Sequence, residues 1–480
     1  MNREFLINII FLLFVNLLIK PFYIFGIERV IQNRVIEGDY GLYFNLFSFA
    51  LIFQIINDLG IQFYNNRNIA QHGHLLAKYF PGMLLLKALL GLVYFIVLVI
   101  VAQLWGYEIE IYKLLLPIGL NQLLTSLILF LRSNVSGLAL YRTDSFISVL
   151  DRLLLIGICG SLLITMPVFK IEWFVYAQTV SLTITALVAF FSFRSRLGKI
   201  RFRWRPALLL LILKKSYPYA LAVFLMATYT RLDGVMIERL LPNGRIEADI
   251  YASAYRLLEA ASMLGFLFAG LLLPMFARIL KERQAIEPLL RFSLQIIWAG
   301  AVTIAVTLFF FQEQIMVALY DNGDAYSGQI LGILIISFIA ISCTYIYGPL
   351  LTANGSLRQM NYIFITGVVL NITLNLILIP KYGALGAAIV TSITQFFVAI
   401  AEAWLAHRIL HLKLDFRVTT RLLIFLILSI FIGFITLQYP DIDWFMRFIA
   451  SVFLCILLAF VLRLIHLRSA FELLQSKRPE

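Results

Sequence analysis

The stretch NLILIPKYGALGAAIVTSI, residues 375–393, decides the fold, because it joins two long apolar segments through a very short connection. Proline lacks a backbone donor, so Pro380 is expected to end the first helix, and Gly383 allows the chain to reverse. The small residues 386–388 then give the second helix a flat face for close packing. This stretch predicts two apolar helices that follow one another directly.

The composition of the whole chain indicates a membrane protein. Hydrophobic residues make up 61% of the 480 residues, charged residues only 14%, and the mean hydropathy is +0.92. A soluble domain with so few charges could not cover its surface with groups that water solvates. Apolar runs of about 20 residues, the length that crosses the hydrocarbon core, recur from end to end. The chain is therefore expected to be a polytopic α-helical membrane protein with both ends on one side.

About fourteen spans fit the chain at roughly 20 residues each, and they fall into a repeat. Residues 1–205 form a predicted N-lobe of six spans, residues 206–415 a C-lobe of six, and residues 416–480 two accessory spans and a tail. Aligning the halves places Lys20 on Arg231 and Tyr40 on Tyr251. Six spans per half give both halves the same orientation, as in transporters built from parallel repeats.

The basic residues predict the orientation of the chain. Most of the 39 Lys and Arg fall on one side of the predicted spans, most densely in FRSRLGKIRFRWRP, residues 193–206. Such a bias over short loops marks the cytoplasmic side, so both termini are expected in the cytoplasm. The bias also accounts for the net charge of +13, and nucleic-acid binding is not expected.

Catalytic and metal chemistry find little support in the sequence. No loop is long enough for a soluble catalytic domain, so an enzyme is not expected. Cys159, Cys343 and Cys455 are too few and too scattered for a disulfide framework or a metal site, and no cofactor is implied.

Ionisable side chains inside the predicted spans are the candidate functional residues. A charge at the centre of a bilayer costs ~2.5–3.5 kcal/mol on insertion scales, so each one requires a reason. Lys87 lies near a span end and is expected to snorkel, and Glu402 is ambiguous for the same reason. The candidates that the predicted spans place in the membrane are Lys20, Asp58, Lys87, Arg231, Asp233, Arg256, Glu259 and Glu402.

Arg231 and Asp233 are two residues apart, so they face different directions on one helix and each needs another partner. Arg256 and Glu259 are three apart and share a face. We expect these four residues to form a network between helices, with Lys20 facing it from the other half.

Two interpretations of this network stay open at the level of sequence. It is either a set of buried ion pairs that fixes helix register or an anion-attracting surface between the halves. In the second interpretation Arg231, Arg256 and Lys20 bind phosphate, and Asp233 and Glu259 serve ion coupling or the network.

Pro21 and Asp58 leave further alternatives. Pro21 is expected to kink or break the first helix beside Lys20, unless that helix simply ends shortly before Glu28. Asp58 is either a proton or cation site or a hydrogen-bond partner of a neighbouring helix.

Four segments carry a family resemblance: residues 375–393, TANGSLRQMNYIF (352–364), GDYGLY (38–43) and YNNRNIA (64–70). Together they resemble the polysaccharide exporters of the superfamily that also holds MATE drug exporters and lipid II flippases. These motifs specify the fold better than the substrate.

The resemblance implies a flippase in the bacterial cytoplasmic (inner) membrane. Its substrate would be an oligosaccharide linked to undecaprenyl diphosphate, moved by alternating access for O-antigen or capsule assembly, with other polysaccharide-assembly proteins open as partners. A lipid II flippase is the main alternative, and a cation-coupled drug exporter is a weaker one. A membrane polymerase or ligase would show a large outer loop, and a pure scaffold would leave the intramembrane arginines without a purpose.

Overall fold

The regular structure of the described chain is entirely helical. The computed structural model describes residues 16, 18–61, 76–137, 140–166, 168–194, 206–413 and 415–464, and no strand occurs in them. Within these residues, 13 helices are long and apolar enough to cross a membrane. This confirms the predicted all-α multi-pass membrane fold. Most of the first predicted span, at the N-terminus, and the segment 64–70 lie outside the described residues.

The chain divides into two compact units. The first comprises Met1–Ala252 and Phe364–Ala387, and the second comprises Ser253–Ile363 and Ala388–Glu480. The lobe boundaries predicted from the sequence, 1–205, 206–415 and 416–480, stay a prediction.

The helices before the first unit boundary are α1 (Arg29–Arg34), α2 (Asp39–Phe53), α3 (Leu76–Leu104), α4 (Tyr112–Gly137), α5 (Tyr141–Thr165), α6 (Ile171–Arg194) and α7 (Pro206–Leu240). They are followed by α8 (Gly244–Lys281), α9 (Glu287–Phe310), α10 (Gln312–Leu319), α11 (Ala325–Ala353), α12 (Leu357–Tyr382), α13 (Ala384–Leu410), α14 (Phe416–Leu437) and α15 (Trp444–Val461). The unit boundaries fall within α8, α12 and α13.

The first described helix neither breaks at Pro21 nor ends before Glu28. Helical residues 18–22 continue into a π-helical turn, Tyr23–Glu28, and then into α1. A proline removes one backbone hydrogen bond, and the wider π turn that follows absorbs the disruption without ending the helix. The predicted helix end before Glu28 is therefore wrong, and the expected disturbance takes the form of a π turn beside Lys20.

The reversal in residues 375–393 occurs at one residue. Helix α12 runs through Pro380 to Tyr382, so the prediction that Pro380 ends this helix is wrong. Gly383 has φ +62, which only glycine adopts without strain, and α13 begins at the next residue. Gly386 packs so closely on the Leu378 carbonyl that a Cβ would overlap it, which confirms the predicted small-residue face.

Two helix pairs organise the first unit. Helix α2 packs along α7, and α4 packs along α6 with α5 beside it. A buried apolar cluster includes Phe80 and Phe130, whose rings stack at 5.9 Å. The pairing of α2 with α7 places Arg231 and Asp233 among the residues of the N-terminal helices.

The second unit is built around α9. Helix α9 packs against α11, α14 and α15, with Val302, Phe425 and Ala459 in the shared core. Phe310 of α9 and Phe434 of α14 meet edge to face at 4.9 Å. The two additional C-terminal helices predicted from the sequence are thus present and pack on this unit.

Candidate functional site

Asp233 lies at the centre of a buried polar cluster in the first unit. Its side chain is 1% exposed, and it accepts hydrogen bonds from Asn371 Nδ2 at 3.0 Å and Asn375 Nδ2 at 2.6 Å. The two asparagines are four residues apart on α12 and therefore share a face. The Tyr251 hydroxyl of α8 donates a third hydrogen bond at 3.2 Å. Neutral donors from two helices thus stabilise this carboxylate.

This Asp233 cluster, Asp233 with Tyr251, Asn371 and Asn375, can act in two ways. As observed, it is a hydrogen-bond network that fixes α7 against α8 and α12. Asn375 Oδ1 is buried and has no hydrogen-bond partner in the described part of the chain. Carboxylate and amide oxygens are also the ligands that hard cations take, so the predicted choice between ion coupling and a network stays open at Asp233.

Arg231 faces a different helix from Asp233, as their spacing predicts. Its guanidinium lies over the ring of Phe47 on α2, with 5.9 Å between the guanidinium carbon and the ring centroid. The side chain is neither fully buried nor fully exposed. Arg231 therefore presents a planar cation with five donors along the α2–α7 contact.

Lys20 belongs to a second group of charges in the first unit. The charges that act on it most strongly are those of Arg152, Asp151 and Arg132. Arg132 Nε pairs with Asp144 at 2.8 Å, and Arg152 Nε lies 3.7 Å from Asp151. We call Lys20, Arg132, Asp144, Asp151 and Arg152 the α4–α5 charge group.

Our interpretation of the sequence named only Lys20 of this group and missed the other four residues, among them Arg152. Its side chain is 37% exposed, more than those of Arg132, Asp144 or Asp151. Its guanidinium carbon lies 4.7 Å from the ring centroid of Tyr23, in the π turn. Arg152 is thus more exposed than Arg132, the other arginine of the group. The sequence signal that could have identified Arg152 is its position directly after Asp151, inside an otherwise apolar helix.

Lys87 and Asp58 form a buried ion pair. Lys87 Nζ lies 2.6 Å from Asp58 Oδ1 and 2.9 Å from the hydroxyl of Ser126. Lys87 is 6% exposed, so the prediction that it snorkels is wrong. Helix α3 begins at Leu76 and places Lys87 in its middle, beyond the reach of a snorkelling side chain. The geometry favours the structural interpretation of Asp58.

Arg256 and Glu259 lie in the second unit and confirm the predicted shared face. Their side chains pair at 2.5 Å along α8, with 10% and 20% of their surface exposed. Lys20, Arg231 and Asp233 lie in the first unit. A network that joins all five residues therefore stays a prediction.

Glu402 is not near the surface, although its position close to a predicted span end left that open. Helix α13 runs on to Leu410, and Glu402 is 0% exposed. It is the most deeply buried of the candidate acids.

No three His, Cys, Asp or Glu side chains gather to hold a metal ion in the described residues. The candidate sites considered above are the Asp233 cluster, the α4–α5 charge group, the Lys87–Asp58 pair, the Arg256–Glu259 pair and Glu402.

Comparison with known proteins relates the chain to a family. A family model described as polysaccharide biosynthesis protein matches residues 5–280, more than half of the 480 residues. An uncharacterized membrane protein of Methanocaldococcus jannaschii is 28% identical over 200 residues, which are 39% of this chain and 45% of that relative. The match thus spans less than half the length of the curated relative.

Solved structures share the fold. The lipid II flippase MurJ in an inward closed conformation has a TM-score of 0.70 at 15% identity, over 94% of this chain and 97% of that one. An inward-facing MATE family multidrug transporter of the MOP superfamily has a TM-score of 0.64 at 14% identity, and the match covers 80% of this chain and 93% of the transporter. A MOP superfamily transporter from Pyrococcus furiosus has a TM-score of 0.59 at 14% identity, and the match covers 84% of this chain and 93% of that protein. These similarities confirm a fold of the MurJ and MATE type.

Proposed function

This chain belongs to the polysaccharide biosynthesis protein family, and on that basis we propose that it is a flippase for lipid-linked oligosaccharides. Its substrate is an oligosaccharide repeat unit on undecaprenyl diphosphate, which it carries across the cytoplasmic membrane for O-antigen or capsule assembly. Both termini lie in the cytoplasm, in keeping with the distribution of Lys and Arg.

The observation that carries this proposal is the presence of accessible arginines within membrane-crossing helices. Arg152 on α5 keeps 37% of its side chain exposed, and Arg231 on α7 is partly exposed. Both helices meet the length and composition needed to span a bilayer. An arginine at membrane depth is costly, and such residues mark substrate pathways in many membrane proteins.

The chemistry of the substrate matches these residues. A diphosphate cannot enter hydrocarbon without a large loss of solvation. The guanidinium fork offers paired hydrogen bonds that suit phosphate oxygens, and it stays charged at every physiological pH. A cationic path therefore lets the diphosphate cross inside the protein while the lipid tail stays in the bilayer.

Transport proceeds by alternating access, in which a binding site opens first to the cytoplasm and then to the outside. Arg231 and Lys20 of the first unit bind the diphosphate, joined by Arg152, and Arg256 contacts the substrate within the second unit. Other polysaccharide-assembly proteins act before and after this step.

The second candidate is a lipid II flippase. The fold similarity to MurJ favours it, since that structure covers nearly the whole chain. Both substrates carry a polyprenyl diphosphate, so the arginines suit either one. Flipping rates measured in vesicles with each lipid-linked substrate distinguish the two candidates. Because both substrates carry a polyprenyl diphosphate, a difference in rate must come from the sugar portion.

The test of the phosphate role is a set of Arg231 variants. Arg231→Lys is expected to impair export strongly, because a point charge does not reproduce the bidentate fork. Arg231→Ala is expected to abolish export while membrane abundance stays near that of wild type. Arg278→Ala is the matched control, since Arg278 is 73% exposed and pairs with Glu282. Normal export by an Arg231→Ala, Asp233→Asn double variant would contradict the proposal.

A further inference from the structure

Asp151 is a carboxylate placed beside an arginine that the proposed function assigns to the diphosphate. It directly precedes Arg152 on α5, and its side chain is 21% exposed. Asp151 Oδ2 lies 3.7 Å from Arg152 Nε, which is longer than a hydrogen bond. Adjacent residues on a helix point in different directions, so these two side chains cannot align their hydrogen-bonding groups fully. The carboxylate of Asp151 therefore keeps capacity to accept other donors.

The other acid of the α4–α5 charge group shows the contrast. Asp144 Oδ1 accepts a hydrogen bond from Arg132 Nε at 2.8 Å, and Asp144 Oδ2 accepts one from Arg132 Nη2 at 3.3 Å. This paired arrangement uses both oxygens of Asp144 within the protein. Asp151 acts on Lys20 and Arg152 through its charge, without such a bidentate contact to Arg152.

Ser148 extends the polar surface of Asp151 toward the start of α5. It lies three residues before Asp151 and four before Arg152, so the three residues share a face of the helix. Ser148 is partly exposed, and its hydroxyl accepts a hydrogen bond from Asn16 Nδ2 at 3.2 Å. Protein atoms surround the Arg152 guanidinium closely, although 37% of its side-chain surface stays accessible. This face of α5 therefore borders an internal space of the first unit.

A carboxylate in this position does not serve phosphate binding by itself. It repels a diphosphate bound to the neighbouring arginine, because like charges at short range repel. A carboxylate accepts hydrogen bonds and donates none, so it requires a ligand that carries donors. Sugar hydroxyls are such donors, and the sugar of the proposed substrate is bonded directly to the diphosphate. When Arg152 pairs with the diphosphate, the attached sugar therefore lies beside Asp151.

Balancing the charge of Arg152 is the competing role for Asp151. Arg152 has other stabilising contacts, because its guanidinium carbon lies 4.7 Å from the ring centroid of Tyr23 and the charge of Glu28 also acts on it. Charge balance would affect every phosphate-bearing ligand equally. A contact with the sugar affects only a ligand that carries one, so the two roles predict different binding patterns.

We propose that Asp151 binds a hydroxyl group of the sugar attached to the diphosphate, and that this contact selects the glycosylated lipid over bare undecaprenyl diphosphate. The proposal rests on the flippase function proposed above and adds the residue that detects the sugar. Because every hexose carries several hydroxyls, Asp151 detects the presence of a sugar rather than its identity. The bare lipid, which remains once the oligosaccharide has been transferred elsewhere, is then a poor ligand.

The test measures affinities of the full-length protein in lipid nanodiscs for two probes, undecaprenyl diphosphate and undecaprenyl diphosphate carrying one glucose. Wild type is expected to bind the glucosylated lipid about ten-fold more tightly, as one hydrogen bond to a charged group predicts. Asp151→Ala is expected to lose this preference and to bind the bare lipid at least as tightly as wild type, because a negative charge beside the phosphate is gone. Arg152→Gln is expected to weaken binding of both lipids by similar factors. Glu282→Ala, at a 39% exposed acid on α8, is the matched control and should behave as wild type.

The outcomes separate the sugar contact from the flippase function. A full wild-type preference in Asp151→Ala overturns the proposal. An equal loss of affinity for both lipids in that variant also overturns it, since Asp151 then acts only by positioning Arg152. Equal binding of both lipids by wild type overturns the sugar contact and leaves the flippase function standing. Binding of neither lipid by wild type refutes that function and the sugar contact with it.

Asp151→Asn guards against a loss of folding in the alanine variant. Asparagine keeps the shape of the side chain and one acceptor oxygen. A neutral acceptor binds a hydroxyl more weakly than a carboxylate does, so the preference for the glucosylated lipid is expected to fall several-fold. An unchanged preference in Asp151→Asn protein that accumulates normally overturns the proposal.

Inhibition of transport gives an independent measurement. In vesicles, bare undecaprenyl diphosphate is expected to inhibit flipping of the glucosylated lipid weakly in wild type and several-fold more strongly in Asp151→Ala. Equal inhibition of the two proteins contradicts selection at Asp151.

Discussion

The hydroxyl of Tyr251 donates a hydrogen bond to the buried carboxylate of Asp233 across 3.2 Å, joining α8 to α7. A similar hydrogen bond occurs nearer the N-terminus, where the Tyr40 hydroxyl donates to the Glu28 carboxylate at 2.9 Å. Tyr40 and Tyr251 are the residues that alignment of the two halves superimposes. In both places a tyrosine on one helix therefore stabilises an acid on the helix before it.

Replacing Tyr251 with phenylalanine removes one of the three hydrogen bonds described at Asp233. Hydrogen bonds to charged groups contribute about 1.5–3 kcal/mol, so Tyr251→Phe is expected to lower the free energy of unfolding by that amount. Thermal unfolding in detergent measures the change. Tyr40→Phe should show a similar loss, and Tyr176→Phe, at a 49% exposed side chain, should show none. Unchanged unfolding of both buried variants would mean that these hydroxyls contribute nothing.

Substitution of Gly41, in the segment GDYGLY, is expected to destabilise the protein more than loss of either tyrosine hydroxyl. A Cβ at this position would overlap the Arg245 carbonyl oxygen and lie 2.6 Å from the Asp249 nitrogen. Because both contacts are backbone atoms, no side-chain rotation relieves them. Gly41→Ala is expected to destabilise the protein or force α2 away from α8.

The matched control for that variant is Gly157→Ala, since a Cβ at Gly157 meets nothing within 4 Å. Helix propensity favours alanine over glycine by roughly 1 kcal/mol, so Gly157→Ala should be neutral or stabilising. Membrane abundance and unfolding temperature are compared for the two variants. Equal behaviour would show that α2 and α8 do not depend on this close approach.

Local spacing predicted part of the structure, and long-range packing decided the rest. The reversal at Gly383 and the shared face of Arg256 and Glu259 follow from residues close in sequence, and both are found. The partners of Asp233 on α12 are more than 130 residues away, and no helical periodicity identifies them. The sequence signal for these partners was the pair Asn371 and Asn375, four residues apart in an otherwise apolar helix.

The burial of Lys87 shows the same limit. Its distance from a predicted span end favoured snorkelling, but the true start of α3 and the position of Asp58 depend on how the helices pack. The sequence therefore identified several of the residues that carry charge at membrane depth, although it missed Arg152. It did not identify the partner of each charge.

Variants of the Lys87–Asp58 pair distinguish a structural role of Asp58 from a role in ion coupling. Removing one partner of a buried ion pair leaves an uncompensated charge and typically costs about 3–5 kcal/mol. Asp58→Asn alone is thus expected to reduce membrane abundance sharply. The double variant Asp58→Leu, Lys87→Met is expected to restore abundance and transport together. A double variant that accumulates normally but does not transport would instead assign Asp58 to ion coupling.

Arg152 gives the most direct test of a phosphate pathway in the first unit. Its guanidinium lies over Tyr23 in the π turn, its Nε is 3.7 Å from Asp151, and its side chain is 37% exposed. Losing a charge-assisted contact worth about 1.5–3 kcal/mol corresponds to roughly ten-fold or more in affinity, since each 1.4 kcal/mol is ten-fold. Arg152→Gln is therefore expected to reduce flipping of the lipid-linked oligosaccharide about ten-fold at unchanged abundance, and Arg152→Lys to recover only part of the rate. Arg142→Gln, at an exposed position near the start of the same helix, is the matched control and should flip at the wild-type rate. If Arg152→Gln instead lowers abundance in proportion to flipping, Arg152 serves the packing of α5 and the diphosphate binds elsewhere.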